Sequence, residues 1–196
     1  NGGFDHNIQT LRIVTLLENR YYNFEGLNLS IETLDGLIKH NGPVYDKTKI
    51  YKILGKNFFK NKINFNSSPS LEAQIASISD DIAYNSHDLE DGLNAKLFTI
   101  KDISNIPILN DIISRNKNKI FKYSQELVLR QIIREIINEM VKDVILNTKK
   151  NLRIYNIKNI KDVYRSKYPL VSFSKNMRLF DISVKNFLKK NMYYHK

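Results

Sequence analysis

The chain has 196 residues, 42% of them hydrophobic and 26% charged, and a formal net charge of +11. That is enough length and apolar content for a folded core, which excludes a disordered tail, and no apolar run nears the roughly 20 residues of a membrane-spanning helix. The complete lack of cysteine excludes disulfides and thiolate-held metals, and suits a cytoplasmic protein; the excess of 31 basic over 20 acidic residues favours partners that carry phosphate, free or polymeric.

In chain order, Asn7–Arg20 reads as an amphipathic helix, with Ile8, Leu11, Ile13, Val14, Leu16 and Leu17 on a broad apolar face. Asp5 or Asn7 is its expected cap. Tyr21–Asn28 reads as a loop, and Ser30 as the cap of a short helix, Ile31–His40, with Leu34, Leu37 and Ile38 inward. Asn41-Gly42-Pro43 stops that helix. Across Val44–Pro69 aromatic residues alternate with Lys and Asn, a pattern that suits either an irregular segment with a buried aromatic side or bases stacked over neutralised phosphates.

Ser70–Asp91 reads as the central helix, capped by Ser70, with Gly92 either ending it or joining it to Leu93–Phe98. Residues three, four, seven or eight apart share a helix face, so Asp80, Tyr84, His87 and Asp88 line up, while Ile75, Ile78, Ile82 and Leu89 are expected to be buried. A row of carboxylate, phenol, imidazole and carboxylate is costly to bury unless each group has a partner. It is how a solvated face looks, and also how a site looks; spacing leaves both open.

Asp102–Ile106 and Pro107–Arg115 read as short helices, and Asn116–Lys119 as a basic connector. Ser124–Lys150 carries the longest helical signal, a wide stripe of Ile132, Ile133, Ile136, Ile137, Met140, Val141, Val144 and Ile145 expected to serve as scaffold. Leu152–Val163 fits a short strand or an irregular helix. Ser174 caps a last helix, Lys175–Lys190, with Met177, Phe180, Val184, Phe187 and Leu188 inward and Lys185, Lys189 and Lys190 outward. From Lys149 onward the only acids are Asp162 and Asp181, which makes this the basic end.

Three blocks carry a resemblance. DDIAYNSHDLEDGL at 80–93, NGGFDHNIQTLRIVTLLE at 1–18 followed by GLNLSIETLDGLIKH at 26–40, and VSFSKNMRLFDISVKNFLKKNMYYHK at 171–196 together resemble the bacterial deoxyguanosinetriphosphate triphosphohydrolase family of the HD-domain superfamily. The stretches 41–69 and 94–123 lie outside the resemblance.

The resemblance implies an all-α fold, a partial HD-type helical bundle with irregular loops. Residues 1–100 would form the later part of the HD core and 101–196 a helical extension that completes a nucleotide pocket. It implies hydrolysis of deoxynucleoside triphosphates to deoxynucleoside and triphosphate, with a divalent metal ion, Mg or Mn. In that family the metal is held by a His, a His-Asp pair and a later Asp. Only the last has a counterpart here, Asp80, so the other ligands and the catalytic residues are expected upstream of Asn1, in a longer polypeptide. His87-Asp88 is not the pair that names the superfamily.

Tyr84 would face the sugar, and Asp88 would hydrogen-bond further round the pocket. Lys185 and Lys39 are the candidate phosphate ligands, Lys39 being equally well a partner for its own helix C-terminus. Tyr193 and His195 match the block's closing Y-x-H, near sugar and base. Expected partners are deoxynucleoside triphosphates, single-stranded nucleic acid and further copies of the chain. The alternative is a catalytically incomplete remnant that binds nucleotides or nucleic acid.

Overall fold

The computed structural model describes residues 5–55, 63–120 and 122–194. Among them every regular element is helical: α1 His6–Arg12, α2 Ile31–Ile38, α3 Thr48–Leu54, α4 Leu71–Asn94, α5 Ile100–Ile103, α6 Leu109–Ile120, α7 Gln125–Ile154, α8 Ile160–Arg165 and α9 Lys175–Leu188. The all-α expectation therefore holds, in keeping with a helical HD-type domain. The chain divides into two compact units, one of residues 1–77 and 152–170, the other of residues 78–151 and 171–196.

In the first unit, Asp5 caps α1 by accepting the Ile8 amide at 3.2 Å. The expected fourteen-residue helix is shorter as an α-helix, because Ile13–Leu17 continues as a π-helical turn. The reason is a competing donor. The Val14 carbonyl accepts Leu27 N at 2.8 Å, and Glu18 N reaches back five residues to the Ile13 carbonyl at 3.0 Å. Gly26 permits the approach: its φ is +69°, and a Cβ there would lie 2.5 Å from the Val14 oxygen.

Ser30 caps α2 through Thr33 N. Leu11, Leu34, Ile38, Ile50 and Phe65 form this unit's core, so the aromatic–basic segment turns at least Phe65 inward. Lys47 lies over the Phe65 ring at 5.2 Å and Tyr51 meets it edge-on at 6.1 Å. Phe58 and Phe59 of that segment lie outside the described residues.

Residues 152–163, read as strand or irregular helix, finish α7 and begin α8, with no strand among the described residues. The Asn159–Asp162 capping box starts α8. The threefold isoleucine spacing is not a core signal here, since Ile154 and Ile160 are exposed.

α4 contributes residues 71–77 to the first unit and 78–94 to the second. Ser70 caps it through Ala73 N at 3.2 Å. In its first turns Gln74 is the covered residue, donating to Pro69 O at 3.0 Å and accepting Leu170 N at 2.8 Å. Ile75 consequently faces outward at 49% exposure, against the expectation that it is buried, while Ile78, Ile82 and Leu89 are buried as expected.

In the second unit Gly92 neither ends α4 nor starts a new helix. It lies inside α4, where a Cβ would sit 2.3 Å from the buried Phe98 ring, and the turn is made further on by Lys96 at φ +58°. Asn116–Lys119 is no connector but part of α6. Asn116 is buried and donates to Ile112 O at 2.9 Å and to Glu135 at 3.1 Å, so its polarity is satisfied inside. The α7 stripe is buried at Ile132, Ile133, Ile136, Met140 and Val144, while Val141 and Ile145 are exposed. Asp143 of α7 takes both the amide and the hydroxyl of Ser174, the α9 cap, at 2.8 and 2.6 Å.

Candidate functional site

The second unit holds a polar seam between α4 and α9. On α4 the residues 81, 85 and 88 are spaced i, i+4, i+7 and so share one flank. Asn85 is buried and donates its side-chain amide to Asp181 Oδ1 of α9 at 2.6 Å. Lys185, one turn on from Asp181, donates Nζ to Asp181 Oδ2 at 3.2 Å and to Asp81 Oδ1 at 2.8 Å. Beyond α9 the chain continues as a π-helical turn, Lys189–Tyr193, which brings the Tyr193 hydroxyl to donate to Asp88 Oδ2. The buried Phe98 ring meets Phe187 of α9 edge-on at 4.9 Å.

The electrostatics follow the contacts. Partial burial works against the Lys185 charge, but the hydrogen bonds and charges of Asp81 and Asp181 outweigh it, and its pKa is raised. The Tyr193 phenol is pushed up to about 12, first by burial and then by its hydrogen bond to the Asp88 carboxylate and that group's charge. At neutral pH the seam therefore presents a cationic ammonium and a neutral phenol.

The predicted residues fall in three places. Asp88, Lys185 and Tyr193 are in the seam. Asp80, Tyr84 and His87 stand on the neighbouring face of α4 and are exposed. Lys39 belongs to the first unit, where it is 1% exposed, pairs with Asp35 at 2.7 Å, donates to Ser67 at 2.9 Å and lies 5.7 Å from the Tyr164 ring centre. His195 lies outside the described residues.

Among the described residues no three His, Asp or Glu side chains cluster as metal ligands. A hard divalent cation takes about six oxygen or nitrogen donors, so Asp80 is one donor of a set and the described residues do not complete it.

Sequence reading missed Asp81, Asn85 and Asp181. Signals existed: Asp181 and Lys185 are an i,i+4 acid–base pair, and Asp81, Asn85 and Asp88 share a flank as surely as Asp80, Tyr84 and His87 do. Nothing in one helix says which flank its neighbour covers.

Described from its own residues, this is an all-α protein whose second unit closes a cation–carboxylate and phenol–carboxylate seam between two helices. No protein-family model matches the chain. It is 50% identical over 195 residues to a deoxyguanosinetriphosphate triphosphohydrolase-like protein of Pelagibacter ubique, an alignment covering all of this chain and 53% of that protein. Proteins of the same description from Bartonella tribocorum and Caulobacter sp. are 42% and 40% identical, each over 99% of this chain and 50% of the relative. The chain is thus a homologue of the deoxyguanosinetriphosphate triphosphohydrolase-like proteins, in agreement with the three sequence blocks. It spans about half the length of the curated relatives it matches.

Proposed function

We propose that the protein carrying this chain hydrolyses deoxynucleoside triphosphates to deoxynucleoside and triphosphate, and that the α4–α9 seam is the chain's share of the pocket. The observation that carries the reading is the convergence of Asp88, Lys185 and Tyr193 in one seam, in a chain similar throughout to proteins described as triphosphohydrolase-like. The raised pKa keeps Lys185 cationic, as a phosphate ligand requires. The Tyr193 hydroxyl, oriented by Asp88, sets the phenol ring where it would border the sugar.

Tyr84 on the adjoining exposed face would pack against the sugar, and His195 near sugar and base. Lys39 is sealed by Asp35 and Ser67, so a phosphate would reach it only after that pair opens. Asp80 would contribute one carboxylate to a divalent cation, Mg or Mn, with the remaining ligands and the catalytic residues supplied from outside this chain. Such a cation, when bound, would polarise the α-phosphate and position the attacking water. The basic end from Lys149 onward is where single-stranded nucleic acid would be held as a second partner, and association with further copies of the chain belongs to the same reading.

The test is product analysis with the full-length protein. Each deoxynucleoside triphosphate turned over should yield one deoxynucleoside and one intact triphosphate, and Asp80→Ala should abolish turnover while leaving the thermal melt in place. Release of pyrophosphate or of single phosphates, or full turnover in Asp80→Ala, would refute the proposal.

A further inference from the structure

Three carboxylates face α9 from the α4 side or lie on α9 itself, and only one of them is sealed. The Asp181 side chain is 10% exposed, that of Asp81 48%, and that of Lys185 44%. Asp181 is also held from behind, because buried Asn85 donates to its Oδ1 at 2.6 Å while Lys185 is 3.2 Å from its Oδ2. A carboxylate with both oxygens engaged and little solvent around it has no cheap alternative rotamer. Asp81 has one: it is half exposed, and turning outward exchanges Lys185 for water.

The charges decide what this arrangement does. One ammonium between two carboxylates leaves a local charge of −1, which opposes any approaching polyphosphate. An ammonium has three protons, and two are already taken. Removing Asp81 from the triad would free a second proton and bring the local charge to zero, without disturbing the Asp181 contact that aims the side chain. We propose that Asp181, braced by Asn85, is a positioning residue that fixes Lys185, and that Asp81 is the exchangeable counter-ion which a bound polyphosphate displaces from it. This rests on the reading that the seam takes a triphosphate. It assigns the two acids opposite roles: one orients the cation, the other competes with the ligand for it.

The test is calorimetric titration of the full-length protein with inorganic tripolyphosphate at fixed salt. Asp81→Asn should tighten binding about three- to fivefold, the scale of one exposed ion pair. Asp181→Asn should weaken it about tenfold or more, since a buried partner is lost. The Asp81→Asn gain should vanish in the double variant Asp81→Asn with Lys185→Gln. A thermal melt accompanies each variant; should Asp181→Asn fail to fold, Asp81→Asn alone still decides the matter. A purely structural role for the acids predicts loss or no change in both. Unchanged or weaker binding in Asp81→Asn, or a gain that survives Lys185→Gln, overturns this inference while leaving the triphosphate reading intact. If the wild-type protein binds neither tripolyphosphate nor any deoxynucleoside triphosphate, the triphosphate reading itself fails and takes this one with it.

Discussion

The two units contain the same local motif in opposite settings. In the first, Asp35 and Lys39 lie four residues apart on and just after α2, 2.7 Å apart, with the lysine sealed. In the second, Asp181 and Lys185 lie four apart on α9 at 3.1 Å, with an equally covered aspartate but a half-exposed lysine that finds another acid in Asp81. Helix spacing makes both pairs. What covers them decides their use. A sealed pair ties α2 to the Ser67 loop and can do little else, whereas an open one can trade a carboxylate for an incoming anion.

The largest expected effect breaks this comparison if it fails. Lys39→Met should cost about 3–5 kcal/mol in denaturant melts, because it strands a buried carboxylate. Adding Asp35→Leu to it should recover a good part, since a buried ion pair is replaceable by packed apolar groups. If Lys39→Met costs no more than Lys185→Met, the contrast between sealed and open pairs is wrong.

Next comes the packing beneath the seam. Gly92→Ala should cost about 1–3 kcal/mol, as a methyl driven into the Phe98 ring is overpacking. The same variant should weaken triphosphate binding if the Phe98–Phe187 contact sets the distance between α4 and α9. Lys185→Met should shift stability by no more than about 1 kcal/mol, because a half-exposed pair contributes little in water.

The smallest effect is a titration. The Tyr193 pKa in the folded state lies above its ordinary value of 10.0, at about 12. Its contribution to stability is therefore present below pH 10 and is lost as pH rises from there towards 12. Alkaline absorbance titration should show one tyrosine ionising late. Tyr193→Phe should remove that phase, and Asp88→Asn should move it towards the others.

Much of the fold was legible because helix signals are local. Ser30, Ser70 and Ser174 each cap the helix they were read to cap, since a hydroxyl before an apolar run has few better uses than an orphan amide. The misreadings have tertiary causes. The first helix changes to a π-helical turn because Leu27, ten residues beyond that turn, claims the Val14 carbonyl. Asn116 belongs to a helix because Glu135 of α7 satisfies its amide inside. Ile75 is exposed because Gln74 is held inward by Pro69 and Leu170.

For the site, the sequence alone determined which residue types stand at which helical angle, and three blocks of it carried the resemblance that homology upholds. It placed Asp80, Tyr84, His87 and Asp88 near one line, and placed Lys185 and Tyr193 on the last helical segment. Only the tertiary structure decided that α9 covers the flank of Asp81, Asn85 and Asp88 rather than that of Asp80 and Tyr84. It also decided that one lysine is sealed and another is open. A period of 3.6 residues fixes the angle at which a side chain leaves its own helix; whether that direction meets water, a carboxylate or a second helix is set by chain nearly a hundred residues away.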